Sequence, residues 1–390
     1  MSLSTEFPII NDKGYKKIPM HLISCRKCKL MQLKHNYELT KLYNSKYGYK
    51  SGINLTMINH LSGIVKDINR KINISKNDVV LDIASNDGTL LSNYNRGVIK
   101  IGIDPILNKY KSQYPKDTKT ASTFFSKKKF YELSGNKKAK AITSIAVFYD
   151  IQEPKKFVSD IKSILSEDGI WVIEQSYFPA LYKNNAYDSL CHEHLTYFAF
   201  KQMKEILKIF ELEVFDITFN YMNGGSIRYF IKHSDNKKIK LNLHNIKKVL
   251  NEEKKFYINY DAKLKKFKKI ILLSKTKLIK LVKKILKQKK SIHIYGASTK
   301  GNIILQFCKF SKKEIPFAAE RNEEKFGRKT PGTGIPIISE EVSRKMKPDY
   351  YLVMPWHFKS EILKREKIYI KSGGRLIFPL PKIEIIKHID

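Results

Sequence analysis

The sequence predicts an α/β protein made of two mostly parallel, doubly wound sheets in series. Three observations carry that prediction. Short apolar runs alternate with helical stretches from Val79 to Gln175, a strand–turn–helix pattern starts afresh at Ser291, and a lysine-laden helical stretch without glycine or proline separates the two. Alternating strands and helices form parallel sheets because the return to a parallel neighbour needs a crossover, usually a helix.

The elements follow in order. Residues 1–75 read as an irregular opening segment carrying Cys25 and Cys28, a Tyr-rich stretch from Tyr43 to Tyr49, and a helix from Leu55 to Ile72. Val79–Ile83 is a first strand, followed by the loop Ala84–Gly88 and a helix through Leu90 and Leu91. Lys100–Ile103 is a second strand ending at Asp104; Ala141–Val147 and Gly169–Gln175 are two more, with a helix at Pro154–Leu165 between them. Leu212–Phe219 and Ser226–His233 flank Asn223-Gly224-Gly225 and read as a hairpin, since Asn-Gly favours tight turns. Residues 76–235 are therefore expected to form one α/β domain, and 236–290 a helical connector whose lysines are solvated. Within 291–390 the pattern is strand Ile292–Tyr295, turn Gly296–Gly301, helix Asn302–Phe307, then strands at Pro316–Ala319, Tyr350–Met354 and Arg375–Pro379.

A chain of 390 residues with 42% hydrophobic residues, including 21 Phe and 22 Tyr, is long enough for two or three cores. The net charge of +37 raises nucleic-acid binding as a rival reading. The lysines are spread along the whole chain and no recognition motif interrupts them, so no specific nucleic-acid partner is expected. Four cysteines make no disulfide scaffold, the first residues lack a signal-peptide pattern, and lysines break the apolar stretch Ile270–Leu286. A cytoplasmic protein without a membrane span is the expectation.

A strand ending in an acid, a small-residue loop and a helix make a place where backbone closely approaches a ligand. Here the text is Val80-Leu81-Asp82-Ile83-Ala84-Ser85-Asn86-Asp87-Gly88-Thr89, and Asp104 follows Asp82 by 22 positions at the end of the next strand. An acid there can accept both ribose hydroxyls. The strict G-x-G-x-x-G of dinucleotide sites is missing, which counts against an NAD-dependent oxidoreductase. S-adenosylmethionine (SAM) has no pyrophosphate and carries a sulfonium and an aminoacyl group, which suit carboxylate and carbonyl neighbours. Asp82, Ala84, Asn86, Gly88 and Asp104 are the candidate SAM-binding residues.

Cys191-His192-Glu193-His194 is the densest ionisable cluster in the chain. Metal binding lacks a third ligand and the H-E-x-x-H spacing, so acid–base work fits better. The segments LDIASNDGTLL, CHEHLTYF, NGGSIR, YGASTKGN and PGTGIPI, in this order, resemble the sugar C-methyltransferase family, whose members methylate a deoxy keto-sugar carried on a nucleoside diphosphate. The resemblance implies a class I SAM-methyltransferase domain, a C-terminal Rossmann-like domain holding the nucleotide sugar, and a small N-terminal zinc region. It assigns the base to His194, with Glu193 beside it.

Three departures stand out. The family uses two Cys pairs for zinc, whereas only Cys25 and Cys28 stand here, with His21 and His35 conceivable additions; no metal is expected. Cys191 replaces a tyrosine, and Ala146-Val147-Phe148-Tyr149-Asp150 replaces an Asn/His-containing segment. Tyr149 joins His194 and Glu193 as a catalytic candidate. His192, Tyr197, Asn223 and Arg228, together with Ser298, Lys300, Glu320 and Arg321 of the C-terminal part, are the substrate-binding candidates. The expected reaction is C-methylation through an enolate formed by His194, with O-methylation of a sugar or related small molecule as the alternative.

Overall fold

The structure, a computed structural model, describes residues 1–12, 17–44 and 47–388. Part of the Tyr-rich stretch, Ser45 and Lys46, therefore lies outside the described residues. The opening segment is less irregular than its sequence suggests. Strands β1 (Leu22–Ser24) and β2 (Met31–Leu33) form an antiparallel hairpin, and the later two-residue strand β8 (Thr196–Tyr197) adds to β2. Strands of three residues are too short to show a period, and so small a sheet has no core of its own.

The central sheet contains β3 (Val79–Ile83), β4 (Ile99–Ile103), β5 (Thr118–Ala121), β6 (Ala139–Ile145), β7 (Leu165–Ser176), β9 (Leu212–Asn220) and β10 (Ser226–His233). Its order is β5-β4-β3-β6-β7-β10-β9, with the first five strands parallel and β10 antiparallel to both its neighbours. Every residue of β3 is buried, as expected of a parallel strand covered on both faces. One face is covered by the helix Leu55–Lys71, capped by the Asn54 side chain, whose stripe Leu61, Ile64, Val65 and Ile68 packs with Val80, Val172 and Phe230. Phe157, Val158 and Ile161 of the helix Pro154–Ile164 pack on the other face against Leu81 and Ile173.

The helix expected through Leu90 and Leu91 does not form; only a 3₁₀ turn, Leu91–Asn93, follows the loop. The amide of Asn93 donates to the carbonyl of Thr89 at 2.8 Å, so a short polar side chain takes an acceptor that a continuing helix would have used.

The connector is two helices, Leu243–Tyr257 and Tyr260–Lys287, broken at Asn259 in the left-handed region (φ 53°). Its lysines are mostly exposed, but Phe267, Leu278, Val282 and Ile285 are buried against Ile292, Ile294 and Ile304 of the following unit. The connector is thus also a cover for the second sheet. That sheet holds β11 (Ile292–Tyr295), β12 (Ala318–Glu320), β13 (Ile337–Ser339), β14 (Tyr350–Val353), β15 (Arg375–Phe378) and β16 (Glu384–Ile386), in the order β13-β12-β11-β14-β15-β16. Only β16 runs antiparallel to its neighbour. Among the described residues no helix is long and apolar enough to cross a membrane.

Both sheets reverse direction of winding beside their first strand, β3 in one and β11 in the other. A crevice opens outside the carboxyl ends of the strands at such a switch point. The two crevices face one another.

Candidate active site

The crevices merge into one cavity of about 650 Å³, lined by the loops after β3, β4 and β6, by the turn after β11, by Tyr43 and by Tyr47 to Ser51 with Ile53 and Asn54. Ligand pockets are commonly about 300–1,000 Å³.

The loop after β3 holds its shape through unusual backbone angles. Ala84, Asn86 and Gly88 all have positive φ (56°, 50° and 77°), and a Cβ at Gly88 would sit 2.8 Å from the Tyr114 ring. Asp104 organises this loop from the end of β4: its carboxylate accepts from Asn86 N at 2.9 Å and Ile106 N at 2.7 Å. A carboxylate has about four lone-pair sites, so capacity for hydroxyl donors is left. The segment before the first helix lies over the loop, with Ser51 N donating to Asn86 Oδ1 (2.9 Å) and Gly52 N to Asp87 Oδ2 (2.7 Å).

Asp82 accepts from Thr143 Oγ1 at 2.6 Å. Burial, reinforced by the charges of Asp104 and Asp87, pushes its carboxyl up to about 7. Burial likewise raises Asp104 to about 6. A wall of three crowded carboxyls destabilises its own charge and favours a cation beside it. SAM carries two cationic groups, and this donor set fits them.

The second corner of the cavity is built around His194. Its Nδ1 lies 2.8 Å from the carbonyl of Ser189, which makes Nδ1 the protonated nitrogen and leaves Nε2 without the proton. The Tyr149 ring packs against it, tilted by 50° with centroids 4.2 Å apart, and burial with the nearby charge of Lys300 pushes the imidazole down to about 3. His194 is neutral at physiological pH, the form a base needs.

The C-terminal unit reaches this corner. Lys300 Nζ donates to Ser189 Oγ (3.0 Å) and the Asn223 carbonyl (3.1 Å), so Ser189 touches both the imidazole and the ammonium. Gly296 has φ 80°, and a Cβ there would meet Pro355 at 2.9 Å. Ser298 caps the helix Thr299–Cys308, its Oγ accepting from Gly301 N at 3.0 Å. Glu320 folds back to accept from Arg321 N and Asn322 N, and Arg321 stands exposed at the cavity rim.

Most of the sequence candidates meet in this cavity, and four do not: Gly88, whose neighbours Asp87 and Thr89 line it, and Arg228, His192 and Tyr197. Arg228 is tied between Glu174 (2.8 Å) and Asp67 (2.7 Å), so its guanidinium is already paired. His192 is buried beside the carbonyl of Ile18 at 3.4 Å, and the Tyr197 hydroxyl points to the Ser189 carbonyl at 3.4 Å; neither lines the cavity. Glu193 does line it, but its oxygens accept from Thr5 Oγ1 (2.9 Å) and Ser4 Oγ (3.2 Å) of the opening segment. Cys25 and Cys28 sit in the turn between β1 and β2, and the rings of His21 and His35 lie 5.5 Å apart. Among the described residues no group of three or more His, Cys, Asp or Glu side chains is placed to hold a metal ion.

The sequence reading missed two cavity residues, Asp150 and His357, and one beside the cavity, Asp188. Asp150, one position beyond Tyr149, is buried and accepts from Tyr43 OH at 2.6 Å. His357 is pushed down to about 3 by burial and the charge of Lys300. Asp188, just outside the lining, accepts from Trp356 Nε1 at 2.7 Å and so joins the two units. Only Asp150 carried a local signal, an acid following a strand; His357 and Asp188 gain their meaning from contacts across the two sheets.

Known proteins match the chain along both of its sheets. A family described as "Methyltransferase domain" matches residues 59–217, and one described as "C-methyltransferase C-terminal domain" matches 221–381. The chain is a SAM-dependent methyltransferase of the class I fold. It is 27% identical over 379 residues to "C-methyltransferase NovU" of Streptomyces niveus, covering 96% of this chain and 89% of that one, which supports a C-methyltransferase. Among solved structures, it is similar to a SAM-dependent methyltransferase from Clostridium acetobutylicum (15% identity, TM-score 0.34, covering 45% of this chain and 91% of that one). A Burkholderia thailandensis 1,6-didemethyltoxoflavin-N1-methyltransferase is also similar (13% identity, TM-score 0.35, covering 46% and 78%). At TM-scores this low, the two likenesses carry no weight.

Proposed function

We propose that the protein methylates a carbon next to the ketone of a deoxy keto-sugar carried on a nucleoside diphosphate, through an enolate. One observation carries this reading: His194, with Nε2 free to take a proton, shares its cavity with the acid-ended strands of the central sheet and the glycine turn of the C-terminal sheet. A carbon beside a ketone becomes a nucleophile only when its proton is removed, which calls for a positioned base. Asp82, Asp104 and the loop Ala84–Gly88 would hold SAM, which supplies an electrophilic methyl group. The helix N-terminus at Ser298–Gly301, with Lys300, suits a diphosphate, because its backbone N–H groups and dipole favour an anion. Asn223, Glu320 and Arg321 line the path between the two and would contact the sugar and nucleoside. Tyr149, whose ring packs tilted against His194, would help hold the imidazole in place.

The test uses SAM labelled with ¹³C in its methyl group and a nucleoside-diphosphate 4-keto-6-deoxyhexose. The expected product carries the label as a methyl bonded to carbon beside the former ketone. A label bonded to oxygen, or none in the sugar, contradicts the reading; the carbon and oxygen products have equal mass, so NMR is required.

A further inference from the structure

Asp150 sits at the end of the turn after β6, with 8% of its surface exposed, and lines the cavity. Tyr43 OH fills one of its oxygens at 2.6 Å; the other, Oδ1, is buried with no hydrogen-bond partner. Leaving a buried polar atom unpaired costs roughly 1–3 kcal/mol, so a native protein that keeps one needs a reason. Around this carboxyl stand Tyr43, Tyr47, Tyr149, Cys191 and Glu193, and among the described residues no cation pairs with it.

Glu193 takes hydroxyl donations from Ser4 and Thr5, which suit a carboxylate. A second charge beside it, out of water, is opposed by desolvation and repulsion together. Burial and the charge of Glu193 accordingly raise Asp150 well above the usual carboxylate range, against the effect of the Tyr43 hydrogen bond. A carboxyl in that form is a donor.

We infer that Asp150 is a catalytic residue: as a neutral carboxylic acid it donates a hydrogen bond from its free oxygen to the substrate ketone oxygen while that oxygen becomes an enolate. The chain places donor and base beside one cavity, since Asp150 follows Tyr149, whose ring packs against His194, and all three line it. In the step concerned, His194 Nε2 takes the proton from the carbon beside the ketone. The C–H electron pair becomes the new C=C bond, and a C=O pair moves onto the oxygen. Asp150 keeps its proton and its hydrogen bond shortens as the charge grows. A fixed donor in a site shielded from water stabilises such a developing charge far better than water does. The inference rests on the enolate reading above.

Two measurements test it. The first is the infrared difference between the wild type and Asp150→Asn at neutral pH, without substrate. It should show the carbonyl band of a protonated carboxylic acid, lost in the variant; no such band overturns the inference. The second follows deuterium uptake from D₂O beside the ketone of a nucleoside-diphosphate 4-keto-6-deoxyhexose, with S-adenosylhomocysteine present so that no methyl is transferred. Asp150→Leu should slow the exchange about 10²–10³-fold, the usual cost of one oxyanion donor. Asp150→Asn, whose amide still donates, should retain an intermediate rate, and if the leucine variant fails to fold this variant carries the test. Exchange by the variants within threefold of wild type defeats the donor role alone. A wild type that shows the band but exchanges nothing defeats the keto-sugar reading, and the donor role falls with it.

Discussion

Two histidines two positions apart carry different expectations. His194 faces the cavity with a defined tautomer, while His192 is buried beside a backbone carbonyl with its Nδ1 unpartnered. His194→Asn should lower turnover about 10²–10⁴-fold and leave SAM affinity unchanged, the contribution of a positioned base. His192→Ala should act through stability instead, by roughly 1–2 kcal/mol. Steady-state kinetics with denaturant titration separates the two; equal kinetic losses at both positions would remove the special role of His194. The low proton affinity of His194 has a cost as well as a use. It keeps the imidazole neutral, but part of the driving force for accepting a proton is lost to burial and to the nearby charge of Lys300.

At the scale of elements, the proposed SAM site at the carboxyl-lined end of β3 and β4 should couple SAM binding to protons. Asp82 is raised to about 7 and Asp104 to about 6, so near pH 6 both are partly protonated without ligand. A cationic ligand favours their charged forms, lowers both values and expels protons. SAM affinity should therefore tighten as pH rises from about 5.5 to 7.5. Calorimetry in buffers of different ionisation enthalpy checks this; a heat independent of buffer near pH 6.5 would contradict it. These two acids were legible in the sequence because each ends an apolar strand, and that pattern survives without tertiary context. The β1–β2 hairpin was not legible, since its strands are three residues long and their pairing is completed by Thr196–Tyr197, far along the chain. The edge strand β5, Thr118–Ala121, has no apolar run to announce it. Arg228 shows the reverse failure: its sequence invites a phosphate, but Glu174 and Asp67 satisfy it internally.

Over the whole molecule, the opening segment ties the two sheets together. Ser2 N donates to Gln306 Oε1 (2.7 Å), Asn302 Nδ2 donates to the carbonyl of Ser4 (2.7 Å), and Arg328 donates to the carbonyl of Phe7 (3.0 Å). The same segment places Ser4 and Thr5 on Glu193, so it joins the C-terminal unit to the wall carrying His194. Asn302→Ala leaves the Ser4 carbonyl buried without its donor and should cost about 1–3 kcal/mol. Chemical denaturation reads this directly, and an unchanged midpoint would show that the segment is not a working tie. The connector lysines lie mostly on the face turned away from the C-terminal core.

The central claim is that one cavity between the sheets receives both ligands. A crystal structure with S-adenosylhomocysteine and a nucleoside diphosphate tests it most directly. The account predicts the homocysteine ligand's ribose on Asp104 and the diphosphate at Ser298–Gly301, with the open side of His194 facing the gap between them. A diphosphate bound elsewhere on the surface, or a ribose away from Asp104, would contradict it.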